Sequence, residues 1–416
     1  MNAAGSICCC LVAFAAVGHA ADDFLDAVDD ALTVAGWQDN VRARLSGTLD
    51  LEGYQLPVPA PGVIFSDSPH LFNPRLSLFL DVQAGARVYL FAQARADRGF
   101  DPSGEKAEIR LDEYALRLTS GKDRRISLQV GKFATVVGNW VQRHDSWGNP
   151  FVTAPLPYEN LTGIWDTTAA GSGGMLLVWS HVRPSPFGQG GYEDKYRRVP
   201  IIWGPSYGTG AAISGLIGRV DYAIELKNTA LSSRPDTWNE TQNLWRDPTV
   251  SGRLGFRPNE MWNLGFSASA GTYLRPLAEP TLPPGRRLAD YRETVLGQDV
   301  GFAWHQVQLW AEIYEARFAI PQVGNADTTA YYVEAKYKVT PQFFGAVRWN
   351  QQVFGTIADN AGVSTRWGRN VWRVDLGPVY RFTPHTQFKL QYSVQHESGN
   401  VAEYTHLVAG QFTVRF

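Results

Sequence analysis

The chain has 416 residues and a formal net charge of −2 at pH 7. That balance lacks the basic footprint of a nucleic-acid binder, so no nucleic-acid partner is expected. Its three cysteines, Cys8, Cys9 and Cys10, stand together near the start, so nothing after them can form a disulfide, a thiolate metal site or a cysteine nucleophile.

Residues 1–20, MNAAGSICCCLVAFAAVGHA, carry no charged side chain. Ile7–Val17 is apolar, the size of a signal-peptide core and too short to span a bilayer. Gly18 and Ala20 are small residues suited to a cleavage site before Ala21. The segment is therefore predicted to be a signal peptide. A buried helix is the bland alternative, and a lipid anchor on one of the cysteines a minor one. In residues 21–36, Phe24, Leu25, Val28 and Leu32 recur at helical spacing and predict a short N-terminal helix.

From residue 37 to 416 the pattern changes to period two. RLSLFLDVQ sets Leu76, Leu78, Leu80 and Val82 against Ser77, Asp81 and Gln83. QFKLQYSVQHE sets Phe388, Leu390, Tyr392 and Val394 against Lys389, Gln391, Ser393, Gln395 and Glu397. Candidate strands lie at 41–52, 74–83, 86–97, 107–119, 124–133, 173–182, 209–217, 219–230, 248–257, 262–273, 292–303, 305–318, 328–338, 342–354, 370–382, 385–397 and 403–416. Many have the roughly 9–12-residue length of a tilted strand crossing a hydrocarbon core. Strand 107–119 requires a bulge, because Ile109 and Leu111 share one parity while Tyr114, Leu116 and Leu118 share the other. Aromatic residues such as Trp310, Tyr314, Trp349, Trp372, Tyr380 and Phe382 suit girdles at the two membrane interfaces.

In lipid every backbone polar group must pair within the protein, so a β membrane protein has to close on itself. The pattern predicts an all-β fold, a transmembrane antiparallel β-barrel. Single-chain bacterial barrels normally have an even strand number. Sixteen is expected and eighteen is the alternative, and either leaves a lumen wide enough for water and solutes. AGAR at 84–87, VTPQ at 339–342 and FTPHTQ at 382–387 are short turns expected on the periplasmic side. LAEPTLPPGRRLAD at 277–290 and GTIADNAGVSTRWGRN at 355–370 are long loops expected outside.

The chain ends in LVAGQFTVRF, with Val408, Phe412, Val414 and Phe416 on one parity and Gly410 as a gap. An exported, cysteine-free chain of long amphipathic strands ending in Phe resembles the Gram-negative outer-membrane porins. The resemblance implies an outer-membrane location among lipid and passive diffusion of small hydrophilic solutes or ions. It also implies that Phe412, Val414 and Phe416 are read as an assembly signal by the outer-membrane assembly machinery. A monomer or a homotrimer would fit. No cofactor, catalytic residue or metal ligand is expected.

The most unusual stretch is VGKFATVVGNWVQRHDSWGNPFVTAPLPYENLTGIWD, residues 130–166. It is rich in aromatic and apolar residues, so it does not read as disordered, and a long loop in a compact fold is usually functional. GKF at 131–133 resembles the strand end that precedes a constricting loop in phosphate-selective and related porins. The loop, 134–172, is expected to fold into the lumen as a constriction, with an external lid as the alternative. Lys132, Arg143, His144, Asp145 and Glu159 would then face the solute path. Arg87, Arg95, Arg110, Arg348, Arg373 and Arg381 would lie opposite, with Asp81, Glu312, Glu334 and Asp375 interspersed. Rings of charged side chains set pore selectivity, but these signs are mixed, and charges that pair to brace the wall are the bland reading. Two rival functions remain. One is a barrel scaffold or exporter for a protein or polymer partner. The other is an outer-membrane hydrolase, suggested by adjacent His144, Asp145 and Ser146 without any Gly-x-Ser-x-Gly.

Overall fold

A computed structural model of the chain describes residues 24–36, 40–64, 66, 68–98, 107–120, 125–181, 195, 197–235, 245–399 and 403–416. The expected signal peptide and the three cysteines lie outside the described residues. Alternating side chains fix one face of each strand for lipid and the other for the interior. The strands satisfy their backbones by pairing with neighbours all the way round. In chain order they are β1 (Val41–Gln55), β2 (His70–Ala84), β3 (Val88–Asp97), β4 (Glu108–Ser120), β5 (Ile126–Phe133), β6 (Gly208–Ile217), β7 (Val220–Lys227), β8 (Thr249–Phe256), β9 (Trp262–Thr272), β10 (Arg292–Trp304), β11 (Val307–Ile320), β12 (Gly324–Lys338), β13 (Phe343–Phe354), β14 (Val371–Arg381), β15 (Thr386–Glu397) and β16 (Glu403–Arg415). Each pairs antiparallel with its sequence neighbours, and β16 pairs with β1 from Val408↔Gln55 to Arg415↔Thr48. The result is the expected closed barrel of sixteen strands.

A helix spans residues 24–31, and the short strand Thr33–Gly36 pairs with the start of β1, Thr33 opposite Arg44. It continues along β1 the line that β16 leaves at Arg415. Between the two, Phe416 and Gly47 exchange both backbone hydrogen bonds, at 2.8 and 3.0 Å. Pairing thus extends through Phe416.

The outer surface is apolar. Leu390 is 42% exposed on it, while its neighbour Gln391 is fully buried on the inside. Trp349 and Trp372 stack outside with ring centroids 5.4 Å apart, as a girdle requires. Trp310 and Tyr314 do not belong to it. They share the inward parity of Glu312, and Tyr314 is buried against Tyr158. The bulge in β4 falls at Asp112: Gln93 faces Glu113 while Ala94 faces Leu111.

One predicted strand is wrong. The strand expected at 173–182 is not found in the wall; Gly173–His181 is a helix, with the Met175 N–H donating to Ser172 Oγ as an N-cap. Met175 to Trp179 are apolar on both parities, and such a run does not separate a strand from a buried helix segment. The connection between β5 and β6 therefore runs from Ala134 to Tyr207, longer than the 134–172 loop expected.

Candidate functional site

The long connection turns inward and lies against β9–β15. The wall holds its backbone by side chains. The Asn139 and Trp140 N–H groups donate to Glu312 Oε1. The Leu156 N–H donates to Asn350 Oδ1 at 3.2 Å, and the Val152 and Thr153 N–H groups donate to Gln391 Oε1 at 2.7 and 3.0 Å. In the other direction, Arg348 Nη2 donates to Thr153 O at 3.0 Å and Lys389 Nζ to the Ser146 and Asn149 carbonyls at 2.6 and 3.0 Å. Around these bonds Val137, Trp140, Tyr158, Ile164, Ile202 and Leu231 pack with wall residues including Tyr314, Phe318 and Tyr332 in one apolar cluster. Loops carry unpaired backbone groups, and burying those groups requires such partners.

This packing relocates several candidate pore residues. Glu334, Arg348, Arg373 and Asp375 face inward but are covered by the loop and at most 4% exposed. Arg348 pairs with Asp375 at 2.8 Å and sits 4.4 Å from the Phe151 ring centroid; Arg373 pairs with Glu159 and Asp375. Arg143 reaches from the loop to Glu334 at 2.6 Å and lies over Trp310. These groups brace loop against wall. Burial pushes the Glu159 carboxyl up, and the Arg373 guanidinium opposes that shift.

A cavity of about 690 Å³ opens at the short-turn end between the loop and β9–β11, bordered by Asn139, Asn263, Gln308 and Trp310. Two others, a smaller and a larger, lie between the loop and β1–β8. Toward the long-loop end is a cavity of about 210 Å³, bordered by Glu52, Arg75, Arg95, Asp97, Arg110 and Asp112. Its arginines form a cross-strand row, Arg95 facing Arg110 directly. All are paired: Arg75 with Asp50 at 3.0 Å and Glu52 at 2.7 Å, Arg95 with Asp112 at 2.7 Å, and Arg110 with Asp97 and Asp112. Toward the short-turn end is a larger cavity of about 680 Å³, bordered by Phe79, Asp81, Tyr89, Phe91, Arg117 and Gln129. His144 borders the larger cavity and Tyr207 the smaller. The two side chains meet between them at 2.8 Å. Because His144 Nδ1–H donates to the Val141 carbonyl, Nε2 is left to accept from the Tyr207 hydroxyl. Burial holds the His144 imidazole below its ordinary range, which favours that neutral form.

The other expected residues are placed as follows. Lys132 is buried on β5, with Nζ 3.4 Å from Leu111 O. Asp145 is exposed at the loop tip, accepting from the Trp147 and Gly148 N–H groups. Arg381 lies at the short-turn end over the Trp147 ring at 5.0 Å. Arg87 is not on the lumen wall; it is exposed in the turn between β2 and β3, because strand pairing stops at Ala84↔Val88. His144, Asp145 and Ser146 turn to separate partners and assemble no triad. Sequence reasoning missed Arg75, Phe79, Tyr89, Phe91 and Arg117. The parity of Arg95 and Gln93 was the signal that puts Tyr89 and Phe91 inside.

No family model matches the chain, and no curated protein does. Solved structures share its architecture. OmpF of Salmonella typhi, solved in complex with daunomycin, superposes with a TM-score of 0.56 at 12% identity, covering 92% of this chain and 100% of that one. OmpT, an outer membrane protein of Vibrio cholerae, gives 0.52 at 8% identity in its trimer form, with 91% and 100% covered. An anion-selective porin from Comamonas acidovorans gives 0.51 at 11% identity, with 90% and 100% covered. At such identities the likeness is one of fold, and the fold is that of the outer-membrane porins.

Proposed function

We propose that the protein is an outer-membrane channel for passive diffusion of small hydrophilic solutes, and not an enzyme. The observation that carries this reading is the division of the barrel into three environments. Its outside is apolar, the loop fills most of the lumen along β11–β15, and the side of β1–β8 keeps two cavities of about 680 and 210 Å³ lined by charged and polar groups. A lipid-facing wall with an ionic interior is what a closed barrel in a bilayer needs. The scaffold or exporter reading fits less well, because the chain's own loop fills the space that a polymer would need. The hydrolase reading has no assembled acid–base–nucleophile set behind it.

The charge arrangement adds a sign. In the smaller cavity the arginines are matched by carboxylates. At the short-turn end of β12–β16, Lys336, Arg381 and Arg415 have no carboxylate in ion-pairing distance among the described residues. Arg381 and Arg415 lie instead on the Trp147 ring, at 5.0 and 4.1 Å, and Lys336 lies over Phe344 at 4.2 Å. Cations on aromatic faces keep their charge available to the lumen, so a preference for anions is expected. Reconstitution of folded protein into planar bilayers tests both parts. Stepwise conductance with an anion-favouring reversal potential is expected; a folded, inserted barrel without conductance would refute the channel.

A further inference from the structure

We infer that the larger cavity is a binding site for a neutral, polyhydroxylated ring of sugar size. This rests on the channel reading for access to the site, although binding itself does not require conduction. The starting observation is a misplaced chemistry. The inward parity of β2 and β3 carries Asn73, Arg75, Ser77, Asp81, Gln93 and Arg95, as a wet wall should. The same parity carries Phe79, Tyr89 and Phe91.

These rings are not part of the apolar packing under the loop. All three border the cavity and are only half-buried. Tyr89 and Phe91 stack with centroids 5.9 Å apart and planes at 30°. The Arg117 guanidinium lies 5.7 and 5.8 Å from their centroids. It is held there by Gln129 Oε1, which accepts from Nε at 2.9 Å and Nη2 at 2.7 Å. Among the described residues Arg117 has no carboxylate in ion-pairing distance, so it keeps donor capacity. The Tyr89 hydroxyl donates to Asp81, and Glu113 accepts the Ala134 N–H at 2.7 Å. Each carboxylate has lone pairs left over.

The cavity thus offers an apolar ring platform beside a rim of both donors and acceptors. Its charges nearly offset. Arg117 faces Asp81 and Glu113, while Asp221 is held by Arg253 at 2.9 Å. An anion would meet the two carboxylates, and a cation would meet Arg117. A molecule with C–H groups on one face and hydroxyls around its edge meets each part of the wall in turn. Convergent polar groups in a largely apolar cavity of roughly 300–1,000 Å³ are typical of small-molecule sites.

Maltose and glucose are suitable probes, with linear sorbitol and the aromatic anion benzoate as controls. Calorimetric titration of the folded, detergent-solubilised protein should show saturable binding of a cyclic sugar. In bilayers the same sugar should reversibly lower the ion current. Tyr89→Ala and Phe91→Ala should each weaken both effects about tenfold, in barrels that still migrate as folded when unheated. Arg117→Gln should weaken them too. Sorbitol acting as well as glucose, benzoate binding more tightly, or the alanine variants binding sugar unchanged would each overturn the site. Sugar binding without conductance would refute the channel and leave the site standing. Conductance without sugar binding would do the reverse.

Discussion

The two halves of the lumen are built from the same alternating strands and end as different materials. Along β11–β15 most inward side chains are buried, and many of their polar groups point at loop backbone. Gln391, Asn350 and Glu312 accept loop N–H groups, and Arg348 and Lys389 donate to loop carbonyls. Along β1–β4 most inward charges pair with one another across strands and border open space, while Glu113 and, on β7, Glu225 turn to the loop. A charged residue facing inward is therefore not yet a pore residue. What covers it decides whether it is structure or solute path.

The largest effect should come from removing the cover. Replacing 138–160 by a short Gly/Ser turn should raise conductance roughly twofold or more, as expected of a segment that occupies part of the lumen. The barrel should stay closed, because its strands pair with each other. A folded replacement with unchanged single-channel current would erase the distinction between the halves.

Single substitutions sharpen it. Arg348→Ala leaves Asp375 short of a partner in a site without exposure, which should cost about 3–5 kcal/mol. Arg95→Ala removes a cation that is 19% exposed, and its partner Asp112 keeps Arg110 at 2.9 Å, so the cost should be smaller, about 1.5–3 kcal/mol. Urea unfolding of the two variants should separate them, and only Arg95→Ala should shift ion selectivity. On the outside, Leu390→Arg should cost about 2–4 kcal/mol near the midplane. Gln391→Arg should also destabilise, because Gln391 holds two loop N–H groups. A parity argument alone would expect it to be tolerated.

The smallest effect concerns acid. His144 is depressed below its ordinary 6.5 in the folded protein. The unfolded chain therefore binds the proton more readily, and stability falls as pH drops through 6.5 toward the folded value. Protonation also ends acceptance from Tyr207. Channel current should change as pH falls below about 6.5, and His144→Gln should lose that pH dependence.

Much of the fold was legible in the sequence because lipid and lumen impose opposite polarities on adjacent residues. Parity put Leu390 outside and Gln391 inside, and it located the bulge near Asp112. It failed where both sides of a segment meet protein. Met175–Trp179 lies inside the loop, so no polarity difference marks its faces, and a helix read as a strand. It also failed for Tyr314 and Trp310, which cover the loop and not lipid, although their parity with Glu312 was visible. Arg95 of β3 and Arg110 of β4 could be read from the pattern. That Arg348 and Arg373 lie under the loop could not, because the partners Thr153 and Glu159 are distant in sequence and no local pattern records the contact.

The central claim is that the water path runs between the loop and β1–β8. The chain has no cysteine after Cys10, so single thiols can be placed cleanly. Ser127 borders the larger cavity, and Ser393 lies under the loop, bonded to Asp375 at 2.6 Å. A charged methanethiosulfonate reagent applied to conducting channels should change the current of Ser127→Cys within seconds and leave that of Ser393→Cys unaltered. Rapid modification of Ser393→Cys with Ser127→Cys silent would place the path on the other side of the loop and contradict the account.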